Sequence, residues 1–211
     1  MSGRPQVALD RGERDLFDDV ARFCAERMAD EMSRCLRKLF EALQADAELD
    51  ALTGLYNRRR LERCLPPELV EARRDGCPLT LALIDVDHFG RINKTHGWPS
   101  GDRVLAEVAL RLRGSIRSTD WVARYGGEEF CVVLRGAALD EASAILGRVR
   151  TAVGSEPIAV TRGASCRVTI SIGAAEFATA DDRDSLLERA SERLLAAKRG
   201  GRDRLCAHPN E

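Results

Sequence analysis

The sequence has no CxxC pair, no long apolar run and no recognisable leader segment. Its seven cysteines are scattered and odd in number, so we expect reduced, mostly buried thiols in a cytosolic protein rather than a zinc site. No stretch of about 18 apolar residues is present, and the N-terminus lacks the apolar core of a signal peptide. We therefore expect a cytoplasmic location and no membrane span in this chain.

A strong net charge is absent as well. The 33 basic and 34 acidic side chains leave a formal charge of -1, which gives no general attraction to nucleic acid or to an anionic membrane. Any phosphate-binding site must therefore depend on a few placed cations. A hydrophobic content of 44% and a charged content of 32% are typical of a soluble globular protein, and 211 residues suffice for one domain with a modest appendage.

Residues 13–48 carry apolar side chains at helical spacing and predict one amphipathic helix of about 35 residues. Its apolar stripe is narrow and mixed with charge. The same helix of a second subunit is the natural partner, and packing against its own domain is the alternative. We therefore divide the chain into a dimerisation segment over residues 1–49 and a larger domain over residues 50–208. The stripe consists of Leu16, Val20, Phe23, Met28, Met32, Cys35, Leu39 and Leu43.

Helical and strand patterns alternate through the larger domain. Residues 79–86 form a near-continuous apolar run of strand length, which predicts a central buried strand. Short strands on either side of the glycine pair at 126–127 predict a hairpin. Asn57 is placed to cap a helix, which the prolines at 66 and 67 are expected to interrupt or restart. We expect an α/β or α+β sandwich, with helices covering a mainly antiparallel sheet.

Carboxylates cluster at the ends of two predicted strands. Asp85 and Asp87 close the buried strand, and Glu128 and Glu129 follow the glycine turn. If the strands are neighbours, both pairs meet at one rim of the sheet, where hard oxygen ligands suit Mg²⁺ and two such ions suit in-line phosphoryl transfer. Each pattern alone has an ordinary alternative, because surface aspartate pairs and glycine turns are common.

Two cations lie at the end of the last predicted helix, which Asp184 is expected to cap. Lys198 and Arg202 are four residues apart and could both reach one anion, as a triphosphate requires. The alternative is helix C-terminal charge that the helix dipole favours.

Read together, five ordered motifs resemble the GGDEF family of diguanylate cyclases, whose members condense two GTP into cyclic di-GMP. The match extends from about residue 50 to residue 206, in the family's order. The resemblance implies a five-stranded central sheet surrounded by helices, similar to nucleotide cyclase and polymerase palm domains. The motifs are Asp50 to Arg59 (DALTGLYNRR), Ile84 to Phe89 with Ile92-Asn93, Gly97 and Gly101-Asp102, Arg124 to Phe130 in the GGEEF form, Ser171 to Ala174, and Ala197 to Arg204.

The resemblance implies roles for particular residues in metal binding. Asp85 and Glu128 would hold Mg²⁺, or Mn²⁺ in its place, with the backbone carbonyl of Val86 assisting and two ions in each half-site. Glu129 would be a further ligand or would help to deprotonate the 3′-hydroxyl. The choice of base between Glu128 and Glu129 stays open, and a base from the protein is not required by the chemistry.

Substrate binding follows from the same resemblance. Asn93 and Asp102 would read guanine, because guanine offers N1–H and N2–H₂ donors that a carboxylate accepts and adenine has no such pair. The backbone of the 87–90 turn would hold the triphosphate together with two cations. The phosphate-binding residues are then His88, Phe89, Lys198 and Arg202.

The implied reaction needs two domains face to face, because the 3′-oxygen of one GTP must attack the α-phosphate of the other. The N-terminal helix would hold this homodimer together. Arg117 and Asp120 form an RxxD pattern at the family's distance for a product-inhibition site, and Arg148 matches a secondary arginine. Arginine pairs with phosphate and stacks on guanine, while aspartate accepts from a base edge, so we expect cyclic di-GMP binding and feedback inhibition here.

Four positions depart from the family pattern. Trp98 stands where histidine is usual, Gly90 where lysine is common, and Lys94 and Ser191 where aspartate is usual. None of these changes removes an implied metal or guanine residue, although the loss of a lysine at position 90 would weaken triphosphate binding.

Other functions compete with an active cyclase. The chief alternative is a non-catalytic GGDEF module that binds cyclic di-GMP or GTP as a receptor or scaffold. A dimerising adaptor would leave the acidic rim unexplained, and a cyclase for another nucleotide fits Asn93 and Asp102 less well. The intact Glu128 and Glu129 pair favours the enzyme, because a catalytically inactive GGDEF domain would more often lack one of them.

Overall fold

The computed structural model describes residues 22–23, 26–36 and 48–208. The described part of the predicted N-terminal helix, residues 22–23 and 26–36, is helical, and the remainder of that prediction lies outside the described residues. From Glu48 onward the chain forms a separate compact unit. Among the described residues, no helix is both long and apolar enough to cross a membrane.

Eight strands form two sheets in the unit that begins at Glu48. They are β1 (Tyr56–Asn57), β2 (Leu79–Val86), β3 (Trp121–Arg124), β4 (Glu129–Arg135), β5 (Ile158–Ala159), β6 (Ser165–Cys166), β7 (Ile170–Glu176) and β8 (Leu205–Cys206). The main sheet has the order β1-β3-β4-β2-β7-β8, while β5 and β6 form a small hairpin joined by a 3-10 turn. Neighbours in the main sheet are antiparallel except β1 with β3 and β7 with β8.

The predicted architecture is confirmed, with one more strand than the five expected. The additional strand at the edge is β1, whose two residues pair in parallel with Ala123 and Arg124. Two residues are too few to show the alternation by which a strand is recognised in a sequence.

Five helices cover the sheet. They are α1 (Arg58–Asp75), α2 (Phe89–His96), α3 (Trp98–Gly114), α4 (Leu139–Gly154) and α5 (Arg183–Arg199). Asn57 caps α1 as predicted, because its side chain accepts a hydrogen bond from the Arg60 amide at 3.0 Å. The cap of α5 is Asp182, not Asp184, which lies in the first turn of that helix.

The prediction that the prolines interrupt or restart the first helix is wrong, because the helix is continuous from Arg58 to Asp75. Pro66 and Pro67 both lie inside α1 on its exposed side. Glu62 and Arg63, whose carbonyls lose their usual amide donors, are exposed as well, so water can replace the missing hydrogen bonds. The buried stripe of α1 remains continuous through Leu61, Leu65, Leu69 and Ala72.

Two hydrophobic cores lie on the two faces of the sheet. Every residue of β2 is buried, and its side chains alternate between the cores, with Leu81 and Leu83 in one and Ala82 and Ile84 in the other. One core contains the apolar faces of α1 and α5, and the other contains those of α3 and α4. The run at 79–86 is therefore a central strand, as predicted, because β2 lies between β4 and β7.

The expectation of mostly buried thiols is wrong. Of the six cysteines in the described residues, Cys131 and Cys206 are buried, while Cys35 and Cys77 are exposed and the other two are half-buried. Only Cys131 and Cys206 lie on strands of the main sheet, whose two faces are covered by helices. None of these six forms a disulfide.

Candidate active site

The acidic residues of the two predicted strand ends meet at one edge of the sheet. Asp85 lies opposite Glu129 in the β2–β4 register, and the Val86 amide donates to the Glu128 carbonyl at 3.2 Å. The hairpin turn at 126–127 therefore adjoins the end of β2. This is the arrangement expected for Asp85, Val86, Glu128 and Glu129.

Arg124 holds the glycine turn in place, which sequence reasoning missed. Its guanidinium donates to the Gly127 carbonyl at 2.7 Å. The amides of Tyr125 and Gly126 both donate to the Glu129 carbonyl, at 2.8 and 3.1 Å. The turn is thus tied to the first residue of β4, so the two glutamates have a defined backbone position. An arginine before a glycine pair is no signal for this contact, because its partners become adjacent only when the hairpin forms.

Burial and crowding perturb the carboxylates at this edge. Burial raises the pKa of Asp85, although the Lys198 ammonium opposes this effect. Burial also raises the pKa of Glu128, and the nearby charges of Asp85 and Glu129 raise it further, with Lys198 again opposing. Carboxylates that are partly buried and, at Glu128, crowded by other carboxylates are stabilised in the ionised form by a bound divalent cation.

The donor set fits Mg²⁺. It offers hard oxygen atoms from Asp85 and Glu128 and from the Val86 carbonyl. Among the described residues, no three acidic, histidine or cysteine side chains converge as a complete metal cage. Mg²⁺ in phosphoryl-transfer sites takes one or two carboxylates and completes its shell with water and substrate phosphates, so a partial cage suits it.

Lys198 lies directly at these carboxylates. Its ammonium is 2.7 Å from Oδ2 of Asp85, and the Asp85 side chain is buried. Lys198 belongs to the last turn of α5, which packs against β2 and β7. Arg202 follows the helix, and its charge lowers the pKa of Asp85, so it also lies near that carboxylate. The two predicted phosphate cations are thus brought to the acidic edge of the sheet.

Asp87 lies close to Asp85, but its carboxylate is engaged in hydrogen bonds within the fold, contrary to the expectation that both aspartates of the DxD pattern are open to a ligand. It is buried, and its carboxylate accepts hydrogen bonds from the Ser171 and Thr169 hydroxyls at 2.7 and 2.8 Å and from the Asp203 amide at 3.0 Å. The β2 strand ends at Val86, and Asp87 joins it to β7 and to the turn after α5. A DxD pattern cannot distinguish these two environments.

The turn after Asp87 leads into α2. His88 has a positive φ of 59° and precedes Phe89, the first residue of that helix. The amides of the first turn of a helix carry partial positive charge and attract phosphate oxygens. The predicted phosphate turn at 87–90 thus connects the end of β2 to the first turn of α2, whose amides suit a phosphate.

Asn93 and Asp102 lie on the neighbouring helices α2 and α3. Within the described residues, the buried Oδ1 of Asn93 accepts no hydrogen bond, while Asp102 is exposed. Gly101 makes room for Asn93, because a Cβ at that position would lie 1.9 Å from the Asn93 Oδ1. The two helices therefore bring together an exposed carboxylate and a buried amide oxygen that has no donor in the described part of the chain. Trp98, one turn before Asp102 on α3, exposes 74% of its surface.

The RxxD motif lies in the loop before β3, beside α4, with Arg117 exposed. The Arg117 guanidinium pairs with Glu141 at 2.8 Å, and Arg148 is exposed two turns further along α4. Asp120 is buried, and its carboxylate accepts the Arg117 amide at 3.2 Å and the Arg135 amide at 3.1 Å. Asp120 therefore shapes the turn that presents Arg117.

Known proteins resemble this chain along most of its length. The family model described as "Diguanylate cyclase, GGDEF domain" matches residues 47–204. Diguanylate cyclase DosC of Escherichia coli K12 is 39% identical over 171 residues, which cover 81% of this chain and 37% of that protein. The response regulator PleD of Caulobacter vibrioides is 43% identical over 159 residues, 74% of this chain and 35% of that protein. This chain thus matches less than half the length of these relatives.

Solved structures show the same fold. The GGDEF domain of DgcB from Caulobacter crescentus, in complex with c-di-GMP, has a TM-score of 0.74 at 34% identity, covering 76% of this chain and 95% of that one. Diguanylate cyclase SiaD of Pseudomonas aeruginosa, in complex with its activator SiaC, has a TM-score of 0.73 at 36% identity, covering 92% of this chain and 74% of that one. With its acidic edge, its glycine hairpin and these matches, the chain belongs to the GGDEF domain family of diguanylate cyclases.

Proposed function

We propose that two copies of this domain condense two GTP into cyclic di-GMP, with release of two pyrophosphates. The observation that carries this proposal is the meeting of Asp85 and Glu128 at one edge of the sheet, with Lys198 2.7 Å from Asp85. A metal-bound triphosphate needs carboxylates to hold the metal and cations to neutralise its phosphates, and both occur here. The family match supports the same reaction.

Metal binding would involve Asp85, Glu128 and the Val86 carbonyl, with Glu129 as a further ligand. When bound, Mg²⁺ neutralises phosphate charge and makes a hydroxyl easier to deprotonate. Two Mg²⁺ ions in each half-site, or Mn²⁺ in their place, are part of this proposal. Lys198 and Arg202, with the backbone at His88 and Phe89, would bind the triphosphate. Either Glu128 or Glu129 would accept the proton from the 3′-hydroxyl.

Each of the two steps forms one bond and breaks one. The 3′-oxygen of one GTP attacks the α-phosphorus of the other, and the bond from that phosphorus to the bridging oxygen breaks, so pyrophosphate leaves. Guanine would be read by Asn93 and Asp102, which accept from its N1–H and N2–H₂ groups. The orphaned Oδ1 of Asn93 supports this assignment. Catalysis would rest on positioning and charge neutralisation.

The reaction requires two domains face to face, and we propose that residues 1–49 hold a homodimer while residues 50–208 catalyse. The described helical residues support this role. Met28, Met32 and Leu36 recur every four residues and expose 69%, 61% and 57% of their surface. A row of exposed apolar side chains on one helix is suited to a second helix. The six cysteines of the described residues form no disulfide, which is usual in the cytoplasm, where we place this dimer.

We propose that the product binds at Arg117, Asp120 and Arg148 and inhibits the enzyme. Arg117 and Arg148 present two guanidinium groups on one surface, which suits two phosphates. Asp120 contributes by holding the Arg117 turn through two backbone amides.

Incubation with GTP and Mg²⁺, followed by chromatography of the products, tests the proposed reaction. We expect cyclic di-GMP from the wild-type chain, none from Glu128→Ala, and a wild-type yield from Glu188→Ala, which removes an exposed carboxylate on α5. No product from a verified dimer that binds cyclic di-GMP would favour the alternative, a non-catalytic receptor or scaffold.

A further inference from the structure

We propose that Asp87 and Arg150 are positioning residues that hold the turn carrying Arg202 where it can bind a phosphate of GTP. This inference rests on the proposed function, because it depends on Arg202 binding the triphosphate. Neither the Asp87 side chain nor the Arg150 side chain is assigned a contact with the substrate. Each would act through the backbone of the turn after α5.

The turn after α5 has a backbone conformation that must be held by its surroundings. Arg202 and Asp203 have positive φ angles of 63° and 42°. Only one other non-glycine residue in the described part of the chain, His88, has a positive φ. This conformation is unfavourable for residues with a Cβ and persists when tertiary contacts impose it. Two consecutive residues of this kind indicate a turn that is fixed from outside.

The sheet supplies the first of these contacts. Asp87 accepts the Asp203 amide at 3.0 Å while the Ser171 and Thr169 hydroxyls hold its carboxylate at 2.7 and 2.8 Å. Asp87 is buried, so these hydrogen bonds are shielded from water. The turn is therefore anchored to the ends of β2 and β7, two residues from Asp85.

Helix α4 supplies the second contact from the other side. One guanidinium nitrogen of Arg150 donates to both the carbonyl and the carboxylate of Asp203, at 2.9 and 2.8 Å. Asp203 is thus held at its amide by Asp87 and at its carbonyl by Arg150. Rotation of the Asp203 backbone would therefore break the hydrogen bond at its amide or the one at its carbonyl.

Arg202 lies in the sequence between the end of α5 and Asp203. Its amide donates to the Ala197 carbonyl at 3.0 Å, so its backbone is fixed on that side by the end of the helix. Arg202 follows Lys198 by four residues, and the Lys198 ammonium is 2.7 Å from Asp85, so the turn begins beside the acidic edge. With the backbone fixed on both sides, only the side chain must be ordered when a phosphate binds. Such preorganisation reduces the entropy lost on binding.

The test measures the binding of a GTP analogue with a methylene group between the α- and β-phosphorus atoms, which cannot release pyrophosphate. We expect Arg150→Met in the full chain to raise its dissociation constant about five-fold, as is typical for residues of one hydrogen-bond network. The KM for GTP should rise with it, while kcat changes little, because the lost interaction is made in the ground state as well. Arg150→Lys should restore part of the affinity, since one donor can still reach Asp203.

A double-mutant cycle distinguishes positioning from a merely structural role. If Arg150 acts through Arg202, Arg150→Met causes no further loss of affinity in an Arg202→Ala background. Arg183→Met is the matched control, because it removes an arginine from an exposed ion pair at the far end of α5 and should leave affinity unchanged. Asp87→Asn removes an acceptor from the same network and should weaken binding in the same way.

Three results would overturn the inference. They are a wild-type dissociation constant for Arg150→Met, effects of Arg150→Met and Arg202→Ala that add fully, and a wild-type protein that does not bind the analogue. The last result would remove the proposed function too. If the analogue binds but GTP yields no cyclic di-GMP, only the proposed function is refuted. The double-mutant cycle would then still test the role of Arg150.

Discussion

The guanidinium of Arg124 lies 3.1 Å from both carboxylate oxygens of Asp50. Arg124 also donates to the Gly127 carbonyl, so this ion pair connects the first turn of the domain to the glycine hairpin. Asp50 in addition accepts the Thr53 amide and hydroxyl at 2.9 and 2.7 Å. One carboxylate thus organises two motifs that are more than seventy residues apart in the sequence.

We expect Asp50→Asn to destabilise the domain in a pH-dependent way. Burial raises the pKa of Asp50, but hydrogen bonds from Thr53 and the charge of Arg124 outweigh burial, so its pKa lies below the usual 3.8. A lowered pKa means that the ionised group stabilises the folded state above the unfolded-state pKa and loses this effect as the pH falls through the folded-state value. The thermal midpoint of Asp50→Asn should therefore lie below wild type near neutral pH, and the gap should close below about pH 3.8.

Circular dichroism at several pH values measures this gap, with Glu192→Gln on the exposed face of α5 as the control. A gap that stays constant from neutral to acid pH would show that the ionised Asp50 carboxylate is not its source.

Gly173→Ala should unfold or strongly destabilise the domain. Gly173 lies on β7, and a Cβ there would approach the Leu194 amide nitrogen and the Ala190 carbonyl oxygen to 2.1 and 2.2 Å. Both atoms belong to the backbone of α5, so no side-chain movement relieves the contact. We expect a loss of more than about 3 kcal/mol in the free energy of unfolding, measured with urea. Gly147→Ala, whose Cβ meets nothing within 4 Å, is the control, and equal stability of the two variants would contradict the prediction.

Gly101→Ala should weaken GTP binding specifically. The new Cβ would lie 1.9 Å from Asn93 Oδ1 and 3.0 Å from the Phe89 ring, so the Asn93 amide must move. Loss of its hydrogen bond to guanine should raise the KM for GTP about tenfold. Affinity for cyclic di-GMP at the Arg117 surface should not change. Gly114→Ala on the same helix has open space around its Cβ and serves as the control. Parallel losses at both sites would point to misfolding instead.

Glu141→Gln should tighten product binding. Arg117 pairs with Glu141 at 2.8 Å, and a phosphate must compete with that carboxylate for the guanidinium. Since exposed pairs contribute modestly, we expect the dissociation constant for cyclic di-GMP to fall about two- to five-fold by calorimetry. Asp140→Asn changes the net charge equally but lies outside the Arg117 pair, so a similar gain in that variant would assign the effect to long-range charge.

Deletion of residues 1–47 should weaken dimerisation and lower cyclase activity. The unit from Glu48 onward is compact by itself, so the truncated chain should remain folded. Its specific activity should rise with protein concentration, because encounters between monomers become limiting. Sedimentation and activity are measured together, and full activity at low concentration would show that the N-terminal segment is not needed. Met32→Glu in the full chain should act in the same direction.

The motifs and most helices and strands could be predicted from the sequence because they depend on residues that are close together in the chain. The run at 79–86 is apolar except for Thr80 and Asp85, and this near-continuous pattern indicates a strand with both faces covered. The turn at 126–127 and the cap at Asn57 depend on neighbours within a few residues. The predictions were wrong where residues distant in the chain determine the local structure. Pro66 and Pro67 are an example, because α1 continues through them while its buried stripe packs against the sheet.

By itself, the sequence determined the family, the order of the strands and helices along the chain, and the residue types available for metal, guanine and phosphate. Only the tertiary structure decided which of these side chains share a site. Asp85 and Asp87 have the same residue type two positions apart, yet Asp85 meets Lys198 whereas Asp87 binds Ser171, Thr169 and Asp203. The physical reason is that a carboxylate takes its role from the donors and charges that surround it, and these come from β7 and α5, far away in the chain.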